Sequence, residues 1–94
     1  MLHGGGQMVS KTVAIKNPTG LHLRPAGNLC KEAVKYKCRV TFNYRNNVTN
    51  AKSVLSVLAA CVKEGDEIEL CCEGDDENEA LANISALIES GLGE

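Results

Sequence analysis

An alternation of apolar and polar side chains runs through Cys38-Arg39-Val40-Thr41-Phe42-Asn43-Tyr44. This period of two residues predicts a strand with one face in the core and the other in solvent. Residues 45–47 are turn-prone and are followed by a short run from Val48 to Ala51, so we expect an antiparallel hairpin. A second alternation, from Ile68 to Glu73, predicts another half-buried strand.

A helical spacing of apolar residues appears on either side of these strands. After Pro25 it predicts a first helix that begins near Leu23, because proline is tolerated only in a first turn. Asp75, Asp76 and Glu79 suit the start of a last helix, and Gly91 suits its end. The apolar stripe of that helix consists of Ala80, Leu81, Ile84, Leu87 and Ile88.

The middle helix is the least regular element. Residues from Val54 to Val62 have helical length and Ser53 can cap them, but apolar side chains occupy nearly every side of the helix. This helix therefore has more apolar surface than one core can take. With a first strand from Val9 to Ile15, the order is βαββαβα. We expect an α+β open-faced sandwich, in which three helices cover one face of a four-stranded antiparallel sheet.

Composition excludes several classes of protein. The 94 residues fit one domain, and a net charge of −2 gives no broad basic surface for nucleic acid. The apolar stretches are shorter than the roughly 18 residues of a membrane span, and the N-terminus lacks a signal-peptide core. We expect a cytoplasmic protein without membrane insertion. Residues 1–7 are glycine-rich and precede a second methionine, so we assign 1–7 to an added or disordered segment and 8–94 to the domain.

The cysteines are predicted to be reduced thiols. Their odd number, the lack of a CxxC pair and the lack of a secretory signal give little support to disulfides or a zinc site. They otherwise resemble small hydrophobic residues, and Cys71 is the one that we expect to be most exposed, on the open face of the sheet. The five are Cys30, Cys38, Cys61, Cys71 and Cys72.

His22 is the only histidine of the predicted domain and lies just before the first helix. The unpaired N–H groups and partial positive charge of a helix N-terminus favour a phosphate there. Arg24 can pair with phosphate oxygens, and imidazole is a nucleophile that titrates near neutrality. A histidine before a helix is nevertheless more often a cap or a surface residue, and an arginine is more often a solvated charge. The residues alone leave both interpretations open.

The segment Gly20-Leu21-His22-Leu23-Arg24-Pro25-Ala26 resembles the active-site motif of the HPr family, the histidine-containing phosphocarriers of the bacterial phosphotransferase system. The resemblance extends from about Val9 to Glu94, and the end of the chain resembles the Gram-positive type. It implies that His22 accepts a phosphoryl group on Nδ1 from enzyme I, which draws on phosphoenolpyruvate, and passes it to enzyme IIA domains in sugar uptake. Arg24 would stabilise the phosphate.

The same resemblance implies a monomeric, stoichiometric carrier rather than a true catalyst. Such a carrier needs no cofactor of its own, and Mg²⁺ belongs to enzyme I and to the kinase. Leu23 departs from the family pattern because a small residue is usual there, and Cys61 departs from it because glycine is common there.

A second motif, Asn50-Ala51-Lys52-Ser53-Val54-Leu55, resembles the segment where the HPr kinase/phosphorylase modifies Gram-positive HPr on serine. The matching residue is Ser53, which can also be an ordinary N-cap. The family likeness further implies a catabolite control transcription factor as a partner, and an exposed surface that binds partner proteins. This partner patch comprises Gly27, Lys52, Val54, Leu55 and Leu58.

Three alternatives stay open. A regulatory paralogue would act mainly through Ser53, in the manner of the catabolite repression HPr-like protein. A carrier of a non-sugar or dihydroxyacetone-kinase branch would share His22 and Arg24. A small module that binds a metabolite or metal has a related architecture, although the sequence lacks a His/Cys ligand set.

Overall fold

A computed structural model describes residues 8–93, so the expectation for residues 1–7 lies outside the described part of the chain. The described part forms one antiparallel sheet of order β1-β4-β2-β3, with three helices in the chain order βαββαβα. The predicted fold class is confirmed. The elements are β1 Val9–Ala14, α1 Leu23–Ala33, β2 Arg39–Tyr44, β3 Asn47–Asn50, α2 Val54–Ala59, β4 Glu67–Glu73 and α3 Glu77–Glu89.

The core lies between the helices and one face of the sheet. Phe42 of β2 is opposite Leu70 of β4, and both side chains are fully buried. Leu29 of α1 and Ile84 of α3 are buried in the same cluster. Because successive side chains of a strand point to opposite faces, the intervening residues of β2 and β4 form the open face.

The start of α3 uses an acidic residue differently from the predicted capping pattern. Asp76 is the N-cap, but its side chain does not cap the helix. Its carboxylate instead accepts hydrogen bonds from the N–H groups of Lys37 and Cys38, both at 2.9 Å. These bonds lower the pKa of Asp76 and attach the start of α3 to the residues that precede β2.

The middle helix is shorter than predicted. α2 ends at Ala59, with Ala60 as its C-cap, whereas the apolar run had indicated a helix to Val62. Cys61 has φ of +57°, a left-handed conformation that a right-handed helix cannot continue through. Glycine adopts this conformation most easily. Val57 is the fully buried residue of α2, which agrees with the excess of apolar surface expected there.

The expectation that Cys71 is the most exposed cysteine is wrong. Its side chain lies on the open face, but only 6% of it is accessible. β4 is a central strand, so Cys71 lies between Ser10 of β1 and Thr41 of β2, which cover it from both sides. Cys61 is the exposed cysteine, and none of the five forms a disulfide. Burial raises the pKa of Cys72 to about 12.

No helix within residues 8–93 has both the length and the apolar character needed to cross a membrane.

Candidate functional site

A tight turn precedes His22. The N–H of Gly20 donates to the carbonyl oxygen of Asn17 at 3.0 Å, and the side-chain amide of Asn17 donates to the carbonyl oxygen of Gly20. Asn17 is only 2% exposed, so both hydrogen bonds that stabilise the turn lie in the interior of the protein. Gly20 has φ of +64°, which a residue with a side chain adopts only with strain.

This turn lies directly against the segment that follows α2. The N–H of Leu21 donates to the carbonyl oxygen of Val62 at 2.9 Å, and Leu21 itself is buried. A Cβ at position 20 would overlap that carbonyl oxygen and would lie 2.8 Å from Cα of Lys63. Glycine is therefore required at position 20 by its backbone angle and by the close approach of residues 62–63.

His22 is the N-cap residue of α1 and is exposed. Its backbone is extended, with φ of −83° and ψ of −171°, and its side chain makes no capping hydrogen bond. The carbonyl oxygen of His22 accepts the first helical bond, from the N–H of Ala26 at 2.8 Å. The backbone of His22 thus starts the helix while its imidazole faces solvent.

Two backbone donors lie next to the imidazole. The first turn of α1 contains Leu23, Arg24 and Pro25, and proline has no N–H group. Within residues 8–93 the N–H groups of Leu23 and Arg24 have no hydrogen-bond partner. Such free N–H groups at a helix N-terminus, together with the helix dipole, attract the oxygens of a phosphate.

The side chain of Arg24 adds a full positive charge to this turn. It is exposed and takes part in neither of the ion pairs found among the described residues, Lys11–Glu89 and Lys35–Glu32. A guanidinium in this state can form charge-assisted bonds to a phosphate that arrives at His22. The structure thus brings both predicted site residues into one helical turn.

Ser53 lies at the start of α2. It is half-buried, and its Oγ accepts a hydrogen bond from the N–H of Ser56 at 3.2 Å. The predicted N-cap role is confirmed. The neighbouring Lys52 donates from Nζ to the carbonyl oxygen of Tyr36 at 2.7 Å, so its amine is bound to the end of the α1 region.

Apart from Lys52, which precedes α2, the residues of the predicted partner patch lie on two helices that pack against each other. Leu55 is 79% exposed, whereas Val54 and Leu58 are half-buried against the core. Gly27 is half-buried on α1, with open space where a side chain would be. Leu55 is thus the prominent apolar side chain of α2.

Charge is divided along the chain. All ten lysines and arginines lie between Lys11 and Lys63, whereas every aspartate and glutamate except Glu32 lies between Glu64 and Glu94. In the structure, the acidic half forms β4 and α3, and neither α1 nor α2 has an acidic residue in its first turn. The low net charge therefore results from two separated sets of opposite charge, and the first turn of α1 contains the positive Arg24 and no acidic residue.

Sequence reasoning missed the residues that support the site. The side-chain amide of buried Asn17, which clamps the turn of residues 17–20, was not predicted. The hydroxyl of Tyr44 donates to Asp66 at 2.5 Å, and the same carboxylate accepts the N–H of Lys63 at 3.0 Å. The hydrogen bond from Tyr44 lowers the pKa of Asp66. The sequence carried a signal only for Asn17, since asparagine often hydrogen-bonds the backbone of its own turn.

Known proteins resemble this chain in both sequence and fold. Residues 9–90 match the family described as the PTS HPr component phosphorylation site. The phosphocarrier protein HPr of Mycoplasma pneumoniae is 37% identical over 78 residues, which cover 82% of this chain and 89% of that protein. A crystal structure of HPr from Thermoanaerobacter tengcongensis superimposes with a TM-score of 0.88 at 40% identity, covering 92% of this chain and 97% of that one.

Longer and related proteins also match. The multiphosphoryl transfer protein of Haemophilus influenzae is 34% identical over 86 residues. The matched region covers 88% of this chain but only 17% of that much longer protein. The HPr-like protein Crh of Halalkalibacterium halodurans is 35% identical over 82 residues, covering 87% of this chain and 98% of that protein.

The fold and the matched segment define a phosphocarrier domain. The chain belongs to the HPr family of the phosphotransferase system.

Proposed function

We propose that this protein carries phosphoryl groups on His22 in the cytoplasm, from phosphorylated enzyme I to enzyme IIA domains during sugar uptake. The observation that carries the proposal is the first turn of α1. There an exposed imidazole lies beside two unpaired N–H groups and the unpaired guanidinium of Arg24.

The chemistry follows from these groups. The lone pair of Nδ1 of His22 forms a P–N bond while the P–N bond to the donor's histidine breaks, and the bonding electrons return to the donor's ring. No oxidation or reduction occurs. The N–H groups of Leu23 and Arg24, with the Arg24 guanidinium, stabilise the negative charge of the phosphoryl oxygens during transfer.

Reconstitution tests this function. The full chain is incubated with enzyme I and labelled phosphoenolpyruvate, and an enzyme IIA is added in a second step. We expect one labelled histidine per chain only when enzyme I is present, and we expect the label to move to IIA so that the unmodified chain is recovered. No label on the chain, under conditions where enzyme I itself becomes labelled, would show that the protein is not a carrier of this system.

We also propose that Ser53 is phosphorylated by an HPr kinase/phosphorylase, and that the modified protein binds a catabolite control transcription factor. Phosphorylation adds a charge of about −1.5 to −2, next to Val54 and the exposed Leu55. A new negative charge there alters the partner patch rather than the core.

The kinase experiment uses ATP and acid treatment, because a phosphoserine ester survives acid whereas phosphohistidine does not. We expect acid-stable label on the parent and on Ser56→Ala, and none on Ser53→Ala. Equal acid-stable labelling of Ser53→Ala would assign the modification to another residue.

The likeness to Crh favours one alternative, a regulatory protein that acts mainly through Ser53. A carrier is labelled on His22 by enzyme I, whereas a purely regulatory protein is not. A carrier of a non-sugar branch is also labelled, but it passes the phosphoryl group to a different acceptor protein. A metabolite-binding module has less support. A surface depression of about 580 Å³ lies on the open face, is lined by residues such as Thr41 and Cys71, and includes none of the predicted site residues.

A further inference from the structure

Tyr44 lies at the end of β2, and its hydroxyl donates to the carboxylate of Asp66 at 2.5 Å. This bond raises the pKa of Tyr44 and lowers the pKa of Asp66. The ring of Tyr44 belongs to the core cluster, and the guanidinium of Arg45 lies 5.1 Å from its centroid in a cation–π contact. A phenylalanine would keep both of these contacts. The hydroxyl therefore adds one thing to the ring, which is the bond to Asp66.

Asp66 ends a short segment after α2, residues 62–66, which we call the buttress. Oδ2 of Asp66 accepts the N–H of Lys63 at 3.0 Å, and the N–H of Asp66 donates to the carbonyl oxygen of Lys63 at 3.0 Å. These reciprocal bonds close a turn over residues 63–66. Because the hydroxyl of Tyr44 donates to the same Oδ2, it fixes this turn to the end of β2.

The buttress also bonds to the chain on the N-terminal side of His22. Two backbone bonds of 2.8 Å pair it with Ile15, and the carbonyl oxygen of Val62 accepts the N–H of Leu21 at 2.9 Å. Leu21 is followed directly by His22. The backbone at position 20 lies so close to the buttress that even a Cβ would overlap it. A displacement of the buttress therefore displaces the residues that precede the imidazole.

We propose that Tyr44 and Asp66 are positioning residues for phosphoryl transfer at His22. The inference rests on the proposed carrier function. Their hydrogen bond acts through the buttress, which fixes Leu21 and with it the imidazole relative to the free N–H groups of the first turn of α1. Transfer between two imidazoles needs the reacting atoms aligned at about 3–3.5 Å, and a misplacement of about 1 Å costs up to about a hundredfold in rate.

The test measures transfer from phosphorylated enzyme I to the full chain in a single turnover, at several concentrations of the chain. It gives the maximal rate constant and the chain concentration at half of that rate. Tyr44→Phe removes the hydroxyl and keeps the ring. Tyr36→Phe is the matched control, because the hydroxyl of Tyr36 donates to the carboxylate of Glu32 at 2.9 Å and accepts from Asn83, on α1 and α3.

A second pair of variants changes the acceptor. Asp66→Ala cannot accept either hydrogen bond, whereas the amide oxygen of Asp66→Asn can accept both. We expect Tyr44→Phe and Asp66→Ala to lower the maximal rate constant by about tenfold with an unchanged half-saturation concentration. Asp66→Asn should recover most of the rate, and Tyr36→Phe should transfer as the parent does. Thermal unfolding checks that each variant is folded at the assay temperature.

Amide hydrogen exchange tests the link to the turn without a partner protein. The N–H of Leu21 is protected by its bond to Val62, and the amides of β2 and β4 report global opening. Relative to those amides, we expect the N–H of Leu21 to exchange about tenfold faster in Tyr44→Phe and at the parental rate in Tyr36→Phe.

Four results overturn the proposal while the carrier function stands. They are a parental maximal rate constant in Tyr44→Phe, equal slowing by Tyr36→Phe, a change confined to the half-saturation concentration, and unaltered relative exchange of the N–H of Leu21 in Tyr44→Phe. Equal slowing by Asp66→Asn and Asp66→Ala also overturns it, because the charge and not the hydrogen bond would then matter. If the parent accepts no phosphoryl group from active enzyme I, the proposed function itself fails and this inference fails with it.

Discussion

The carbonyl oxygen of Val62 accepts a hydrogen bond from the N–H of Leu21 at 2.9 Å, and this bond joins the turn before His22 to the segment after α2. The placement of the imidazole therefore depends on two segments that are about forty residues apart in the sequence. Gly20 allows the close approach, because any side chain at that position would meet residues 62 and 63.

Gly20→Ala should destabilise the protein and displace His22. Alanine in a left-handed backbone costs about 1–2 kcal/mol, and the overlap with Val62 adds about 1–3 kcal/mol. Gly65→Ala is the matched control, because Gly65 has φ of +88° but has nothing within 4 Å of an added Cβ. Urea unfolding should show a clearly larger loss for Gly20→Ala. Equal losses would mean that the contact with residues 62–63 is not tight.

Arg24→Ala should slow phosphoryl transfer without a change in melting temperature. A charge-assisted bond to phosphate is worth roughly 1.5–3 kcal/mol, which corresponds to a rate lower by about tenfold to a hundredfold. Arg24 makes no ion pair among the described residues, so the fold loses nothing. Lys31→Ala removes the same charge from the last turn of α1, and we expect it to transfer at nearly the parental rate. Similar slowing in both variants would indicate a general charge effect.

Leu55→Glu should weaken partner binding and leave stability nearly unchanged, since Leu55 is 79% exposed. Val57→Ala, in the same helix, should do the opposite. Val57 is fully buried, and the loss of two methyl groups costs at least about 1.6 kcal/mol at about 0.8 kcal/mol per group. Calorimetric binding to enzyme I and thermal unfolding separate the two effects. A large drop in the melting temperature of Leu55→Glu would place that side chain in the core.

Ser53→Ala and Ser53→Asp should differ in stability. Alanine cannot accept the hydrogen bond from the N–H of Ser56, and the loss of an N-cap costs about 0.5–2 kcal/mol. Aspartate can accept it and also suits a helix N-terminus, so Ser53→Asp should unfold near the parental temperature. It should nevertheless slow phosphorylation of His22, because its charge lies beside the partner patch. Parental transfer by Ser53→Asp would contradict regulation through this residue.

Most of the fold follows from periodicity in the sequence. The alternation in residues 38–44 and in residues 68–73 predicted two half-buried strands, which are the central strands of the sheet. The order of the elements indicated the open-faced sandwich. The missed details depend on long-range contacts. The apolar run from Val54 to Val62 contains no signal for the left-handed backbone at Cys61. The side chain of Cys71 points to the open face as expected, but it is buried because residues of β1 and β2 lie on either side of it.

The sequence predicted those residues of the candidate site that lie within its short motifs. His22, Arg24 and Ser53 lie in short segments that resemble those of the family, and a helix N-terminus explains their location. The clamp by Asn17 and the bond between Tyr44 and Asp66 join residues whose proximity arises only on folding. Periodicity also could not distinguish exposed Leu55 from buried Val57, because α2 is apolar on nearly every side. The family resemblance implied exposure of Val54, Leu55 and Leu58, and of these three Leu55 is exposed whereas the other two are half-buried.

The central claim is that His22 is the residue that carries the phosphoryl group. The chain has only two histidines, so His3→Ala and His22→Ala form a matched pair. Each is incubated with enzyme I and labelled phosphoenolpyruvate, and acid-labile label on the chain is measured. We expect His3→Ala to be labelled as the parent is, and His22→Ala to remain unlabelled although it unfolds at the parental temperature. Acid-labile label on a folded His22→Ala would contradict the assignment.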